Sequence, residues 1–317
     1  MPTRGDIQED IVRRKQAAQD DVRRSYLKQL AEYTGRDTVL YASAFTSKGS
    51  DVPPSALFVT LDDVQGFMAA LHGLKGKQLD LILHSPGGSM EAADQVVQYL
   101  RSKYEHIRAI VPQNAMSAAT MIACACDVIV MGKHSAIGPI DPQVTFPTTS
   151  GQFTAPAQAI LDEFERAKQE IAANPATIPL WVTKIQAYPH GFLTLCQTTL
   201  DLARDKVADW LSRYMFKNDA DRDEKSRRIA NWLGDAKEHK THGRPINIDQ
   251  AESKGLKIER LESNQDFQEN VLSVFHAAMA TFQVTPCVRM IENQHGKGLY
   301  TTITITAVAV PAHGQAG

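Results

Sequence analysis

Between residues 37 and 145, short apolar runs alternate with amphipathic stretches, and this alternation leaves few architectures open to the chain. The runs at 38–42 (TVLYA), 79–84 (LDLILH), 107–111 and 128–131 have strand length and bounded ends. The stretches between them carry apolar residues at helical spacing. In 62–72 these are Val64, Phe67, Met68 and Leu71; in 89–103 they are Ala92, Val96, Val97 and Leu100; an Ala-rich helix follows Ser117 to about 126. Strands joined through helices of this size return parallel to one another, so the expected class is α/β with a largely parallel sheet.

The flanking segments read differently. Residues 6–33 form a charged helix with an uneven apolar face (Ile7, Ile11, Val12, Val22, Tyr26, Leu27, Leu30), stopped at Gly35. Helical periodicity returns at 157–171 and 193–216, and 217–228 (KNDADRDEKSRR) reads as a solvated loop or helix end. A short helix at 246–253 precedes Gly255; a helix at 267–282 and a Thr/Ile-rich strand at 300–310 follow, before an irregular tail. The expected organisation is an N-terminal helix (1–35), a central domain (36–260) with a helical insertion at about 157–216, and a C-terminal α/β extension (261–317). Insertion and extension are expected to control assembly or substrate access.

Composition narrows the function. With 34 Lys+Arg against 36 Asp+Glu the net charge is −2, not the basic balance of a nucleic-acid binder. No run approaches the roughly 18 apolar residues of a membrane span, and the first residues lack a secretory apolar core. Four cysteines make no disulfide framework, so a soluble cytoplasmic protein is expected, with Cys124 and Cys126 as buried packing residues. No Walker A or dinucleotide fingerprint is present, and no organic cofactor is expected. His239 and His242 are three apart but lack a third ligand, so no metal is expected.

Two strand-to-helix turns carry the chemistry. Gly87-Gly88 follows the 79–84 strand and opens a helix, so its backbone can come close to a ligand and offer N–H donors to an oxyanion. Ser117 opens the helix SAATMIACA, where it either caps the helix or presents a hydroxyl. The strands before these turns are neighbours in the expected sheet. Both turns then converge at the carboxyl ends, where open α/β sheets place their ligands. A serine beside an oxyanion pocket is the arrangement acyl transfer needs.

Three motifs, His84-Ser85-Pro86-Gly87-Gly88, Ala115-Met116-Ser117-Ala118-Ala119 and Ile137-Gly138-Pro139-Ile140-Asp141-Pro142-Gln143, resemble the serine peptidases of the Clp/crotonase fold. The chain is most similar to the serine dehydrogenase proteinase family, relatives of signal peptide peptidase A and, more distantly, of Clp protease. Thr241-His242-Gly243-Arg244-Pro245-Ile246, with Ala251 and Gly255-Leu256, also resembles that family, and the likeness covers roughly 35–260. It implies a repeated ββα superhelix assembled into homo-oligomers. It also implies Ser117 as nucleophile, the N–H groups of Gly88 and Ala118 as the oxyanion hole, and Gly87 as the residue shaping the turn.

The general base has two candidates. The histidine that Clp-type proteases carry after the nucleophile has no counterpart near Ile140-Asp141-Pro142. Relatives with a serine–lysine dyad place the lysine on a helix after a Pro-containing segment, which points to Lys168 behind Pro156. Such a lysine needs burial to lower its pKa. His242 is the rival, since an imidazole changes charge near neutral pH. Asp141 either orients His242 or closes a turn in GPIDPQ; the turn is the reading adopted. His134 and Ser135 read as turn residues, and the aromatic residues of 181–216 as core or a subunit face.

The expected function is a serine endopeptidase that hydrolyses polypeptides through an acyl-enzyme at Ser117. The alternatives are an inactive scaffold with the same fold and a crotonase-like acyl-CoA enzyme using the Gly87-Gly88 turn. No docking motif for an ATPase partner is legible.

Overall fold

In the computed structural model, described over residues 4–49, 52–148 and 151–303 with side chains from residue 19 (Thr148 excepted), the apolar runs become strands. These are β1 (Asp37–Ser43), β2 (Gln78–His84), β3 (His106–Val111), β4 (Asn114–Ala115), β5 (Val128–Met131) and β6 (Ala136–Ile137). A hairpin of β7 (Gln143–Thr148) and β8 (Gly151–Pro156) follows, and β9 (Ile258–Arg260), β10 (Cys287–Asn293) and β11 (Gly298–Thr302) complete the set. The main sheet has seven strands in the order β11-β10-β1-β2-β3-β5-β9. β1, β2, β3, β5 and β9 are parallel, while β10 and β11 join antiparallel at one edge.

Alternating side chains bury both faces of this sheet, as a mostly parallel sheet requires. Val39, Tyr41, Leu81, Ala109 and Ile129 face a layer containing helices Asp62–Leu71, Met90–Lys103, Ala118–Cys124, Phe192–Trp210 and Arg222–Leu233. Leu40, Ile82, Ile110 and Val130 face helices Arg4–Thr34 and Gln265–Val284, through Leu27, Leu30, Val271 and Phe282. Each such fully buried Leu, Ile or Val contributes roughly 1.5–3 kcal/mol. The α/β class with a largely parallel sheet is therefore what forms.

Beyond their carboxyl ends the strands take short sideways steps. Val59 bridges Gly88, Ser85 bridges Ala115, β4 pairs with β6, and Ile137 bridges Ile246. This second tier carries the site described below. The hairpin β7–β8 and helices Ala157–Ala173 and Phe192–Trp210 form a small satellite core around Val144, Ala157, Ile160, Phe192 and Cys196.

The other expected segments take definite bounds. The charge run at 217–228 contains the start of helix Arg222–Leu233, whose Ser226, Ile229, Ala230 and Leu233 are buried; charges on its outer face hide that stripe. The 193–216 helix is Phe192–Trp210, continued by a π turn, Leu211–Met215. Within the segment 261–317, β10 lies in the sheet between β1 and β11. The strand expected at 300–310 is represented by β11, while 304–310, the tail and the side chains of Ile7, Ile11 and Val12 lie outside the described residues.

Candidate active site

Backbone pairing fixes the two turns against each other. The Ser85 N–H donates to Asn114 O at 3.0 Å, and the Met116 N–H donates to Ser85 O at 3.0 Å. Gly87 has φ +94°, and a Cβ there would stand 2.6 Å from both Met116 O and Ser117 Cβ. Gly88 has φ +153°, and a Cβ would come within 2.5 Å of the Val59 backbone N. Val59 donates to Gly87 O at 2.8 Å and accepts from the Ser89 N–H at 2.9 Å, so the glycine turn is held as a strand-like bridge. Only glycine tolerates both the conformations and the contacts.

Ser117 itself sits at φ 51°, ψ −120°, a region L-residues rarely occupy and one that costs of order 1–3 kcal/mol. The strain turns the chain sharply from β4 into helix Ala118–Cys124. The Ser117 hydroxyl makes no capping bond, nor a hydrogen bond to any described residue, so the helix-cap role is not the one it plays. Among the described residues, no acceptor takes the N–H of Gly88 or of Ala118. Ser117, Gly88 and Ala118 line one cavity of about 820 Å³, and His242 lines it as well.

His242 is brought there by tertiary pairing. Ile137 and Ile246 exchange both backbone bonds, at 3.1 and 2.8 Å, in an antiparallel bridge. Asp141 lies four residues after Ile137 and His242 four before Ile246, so the two face one another. His242 Nδ1 is 2.8 Å from Asp141 Oδ1. Asp141 is 2% exposed and the His242 side chain 29%, which leaves the imidazole open to the cavity and its carboxylate behind it. Gln143 Nε2 donates to the other oxygen, Asp141 Oδ2, at 2.7 Å. The loop is tied to helix Ala118–Cys124 by Thr120, whose hydroxyl donates to Ala115 O at 2.7 Å and accepts from the Gly138 N–H at 2.9 Å. The turn role adopted for Asp141 is thus corrected: its carboxylate binds the imidazole, a pairing invisible until 137 meets 246.

Lys168 stands elsewhere. Its side chain is 60% exposed, its Nζ lies 2.9 Å from Glu165, and it does not line the cavity. Nothing there supplies the burial a lysine base requires.

The remaining candidates have local partners. His84 is wholly buried between Phe45 and Phe275, and desolvation pushes its pKa down to about 3. Its Nδ1 accepts from the Asn114 N–H at 3.4 Å, so the ring is a neutral support behind the second turn. His239 Nε2 is 2.8 Å from Trp232 O. Ser135 donates to Val111 O at 2.6 Å, closing a turn with the exposed His134. Cys124 and Cys126 are buried, and burial raises both thiols, Cys126 to about 12. Trp210 and Phe216 pack in the main core, while Tyr188 and Phe192 serve the satellite core. Sequence reasoning missed Val59 and Thr120, both identifiable only from the bonds they make to the turns.

Residues 39–188 match the family described as ClpP-like SDH-type serine proteinase. Two uncharacterized proteins of Methanocaldococcus jannaschii are similar to the chain. One is 29% identical over 207 residues, 65% of this chain and 62% of its own. The other is 27% identical over 206 residues, 65% of this chain and 60% of its own. The chain therefore spans 62% and 60% of the length of these curated relatives. Among solved structures, a variant of the 1510-N membrane-bound stomatin-specific protease aligns with TM-score 0.39 and 14% identity, over 67% of this chain and 79% of that one. A second variant of it, in complex with a substrate peptide, gives 0.36 and 15%, over 63% and 69%. Among the described residues, no helix is long and apolar enough to cross a membrane.

Proposed function

From the match of residues 39–188 to the ClpP-like SDH-type serine proteinase family, we propose that the chain is a serine endopeptidase acting through an acyl-enzyme at Ser117. The observation that carries the reading is one cavity holding a strained serine, two N–H groups and an imidazole backed by a carboxylate, with the serine hydroxyl and both N–H groups unpartnered among the described residues.

In this reading His242 Nε2 takes the Ser117 proton as Oγ attacks the scissile carbonyl. Asp141 holds Nδ1–H, which fixes the tautomer and stabilises the imidazolium that forms. The Gly88 and Ala118 N–H groups receive the carbonyl oxygen as it gains charge. His242 then returns the proton to the leaving amine, and water releases the acyl group by the same route. Ser117 and His242 are not hydrogen-bonded to each other in the free site. The bond forms when a peptide seats, as catalytic contacts commonly tighten on binding. Lys168 takes no part.

Phe58, Met90, Met121 and Ile140 give the cavity an apolar wall, which suits an extended segment of unfolded polypeptide carrying an apolar side chain. The exposed Leu180, Leu195 and Leu202 of the insertion support a homo-oligomer that restricts access. Four free buried cysteines, Cys124, Cys126, Cys196 and Cys287, suit the reducing cytoplasm.

Casein and a quenched fluorescent peptide library, with cleavage sites read by mass spectrometry, test the proposal. Cleavage by the native chain and none by Ser117→Ala is expected. Equal cleavage by both, or none by either, would contradict it.

A further inference from the structure

β10 delivers one arginine to the back of the site. Arg289 is 4% exposed, and its guanidinium spreads over the segment 56–60. Nη1 donates to Phe58 O and, at 3.3 Å, to Ala56 O; Nη2 donates to Thr60 Oγ1 at 3.2 Å. Its Nε faces Asp63 Oδ1 at 2.9 Å. Asp63 in turn accepts from the Tyr41 hydroxyl at 2.7 Å and from the Thr60 N–H at 2.9 Å, both on Oδ2. The segment gripped in this way is the one whose Val59 bonds to Gly87 O and Ser89 N.

The chain of contacts is therefore Arg289, then 56–60, then the Gly87-Gly88 turn. Phe58, Val59 and Thr60 also line the cavity. From this the geometry points to Arg289 as a positioning residue: it fixes the Gly88 N–H at the oxyanion site from outside the family-matched region 39–188. The assignment of an oxyanion site rests on the peptidase reading above, while the clamp itself does not. Arginine is required because the acceptors are splayed around a plane. A lysine ammonium keeps the charge but cannot reach two carbonyls, a hydroxyl and a carboxylate together. Arg289 touches no substrate, so its loss acts on the turn and through it on the transition state.

Arg289→Lys tests this by two readouts on the folded protein. The first is hydrogen exchange by mass spectrometry. Peptides covering 54–61 and 85–92 exchange faster in the variant, with 106–111 as the unchanged control. The second is peptide hydrolysis: kcat falls about tenfold to a hundredfold with KM unchanged, as expected when only a transition-state donor moves. Equal exchange at 85–92 overturns the clamp whether or not the chain is a peptidase. Faster exchange with unchanged kcat overturns the positioning role. A wild-type chain without turnover refutes the peptidase reading and leaves the clamp to be decided by exchange alone. If Arg289→Lys does not fold, Tyr41→Phe, which removes one bond to Asp63, gives the same pattern in weaker form. Its exchange matching wild type would overturn the clamp.

Discussion

His242 Nδ1 lies 2.8 Å from Asp141 Oδ1 across 101 residues of sequence, because the Ile137–Ile246 bridge sets the two segments in antiparallel register. The carboxylate is buried and doubly engaged, by the imidazole and by Gln143. Asp141→Asn keeps this shape but presents an amide whose N–H favours the wrong tautomer. A loss of about 10⁴ in kcat with KM nearly unchanged is expected. Steady-state hydrolysis of a fluorogenic peptide measures it, and a loss below tenfold would remove Asp141 from the mechanism.

The glycine turn gives a steric prediction. In Gly87→Ala the new methyl would have to occupy space 2.6 Å from Ser117 Cβ and Met116 O, at a φ of +94°. The turn must shift, and with it the donor at Gly88. A fall of at least about a hundredfold in kcat is expected, comparable with losing an oxyanion donor. Thermal unfolding measured alongside separates this from simple loss of fold.

His84 makes a prediction about pH. Burial holds its folded pKa near 3, below the value of about 6.5 for an unfolded histidine. Between these values the unfolded chain binds a proton that the native chain does not. Stability from this group is fully present above about pH 6.5 and is lost as pH falls toward 3, at up to about 1.4 kcal/mol per pH unit. His84→Phe leaves the Asn114 N–H without its acceptor and is less stable at pH 7 by about 1 kcal/mol. Its stability depends less steeply on pH from 6 to 4, as denaturant titrations will register.

Glu292 ties helix Arg4–Thr34 to β10. Its carboxylate takes Arg23 Nε at 2.6 Å and Arg24 Nε at 2.7 Å, and both Arg23 and Glu292 are fully buried. Glu292→Leu leaves the buried Arg23 guanidinium its bonds to Asp20 and Thr281 but strips the partner from its Nε–H, and a loss of about 1–3 kcal/mol is expected in chemical denaturation. An effect within about 0.5 kcal/mol, typical of surface substitutions, would show that the pair is not coupled to the fold.

The parallel core was legible because β1, β2, β3 and β5 contain short, mostly apolar runs with bounded ends, such as TVLYA and LDLILH. β10 was not. CVRMIEN carries Arg289, Glu292 and Asn293, which read as solvent-facing, yet all seven residues are buried. Each charge has a distant partner: Asp63 for Arg289, and Arg23 with Arg24 for Glu292. The same holds at the site. Gly87, Gly88 and Ser117 were readable from their place between strand and helix. Asp141 and His242 are joined by register alone, and the contrast between Lys168 and His242 rests on exposure, which sequence does not encode.

Labelling with a fluorophosphonate probe, mapped by peptide mass spectrometry, tests the central claim most directly. The adduct is expected on Ser117 in the native chain and in Lys168→Met at equal rate. Labelling slows by about 10²–10⁴ in His242→Ala and is absent in Ser117→Ala. An unlabelled Ser117 in the folded native chain, or labelling that survives His242→Ala but is lost with Lys168→Met, would contradict the account.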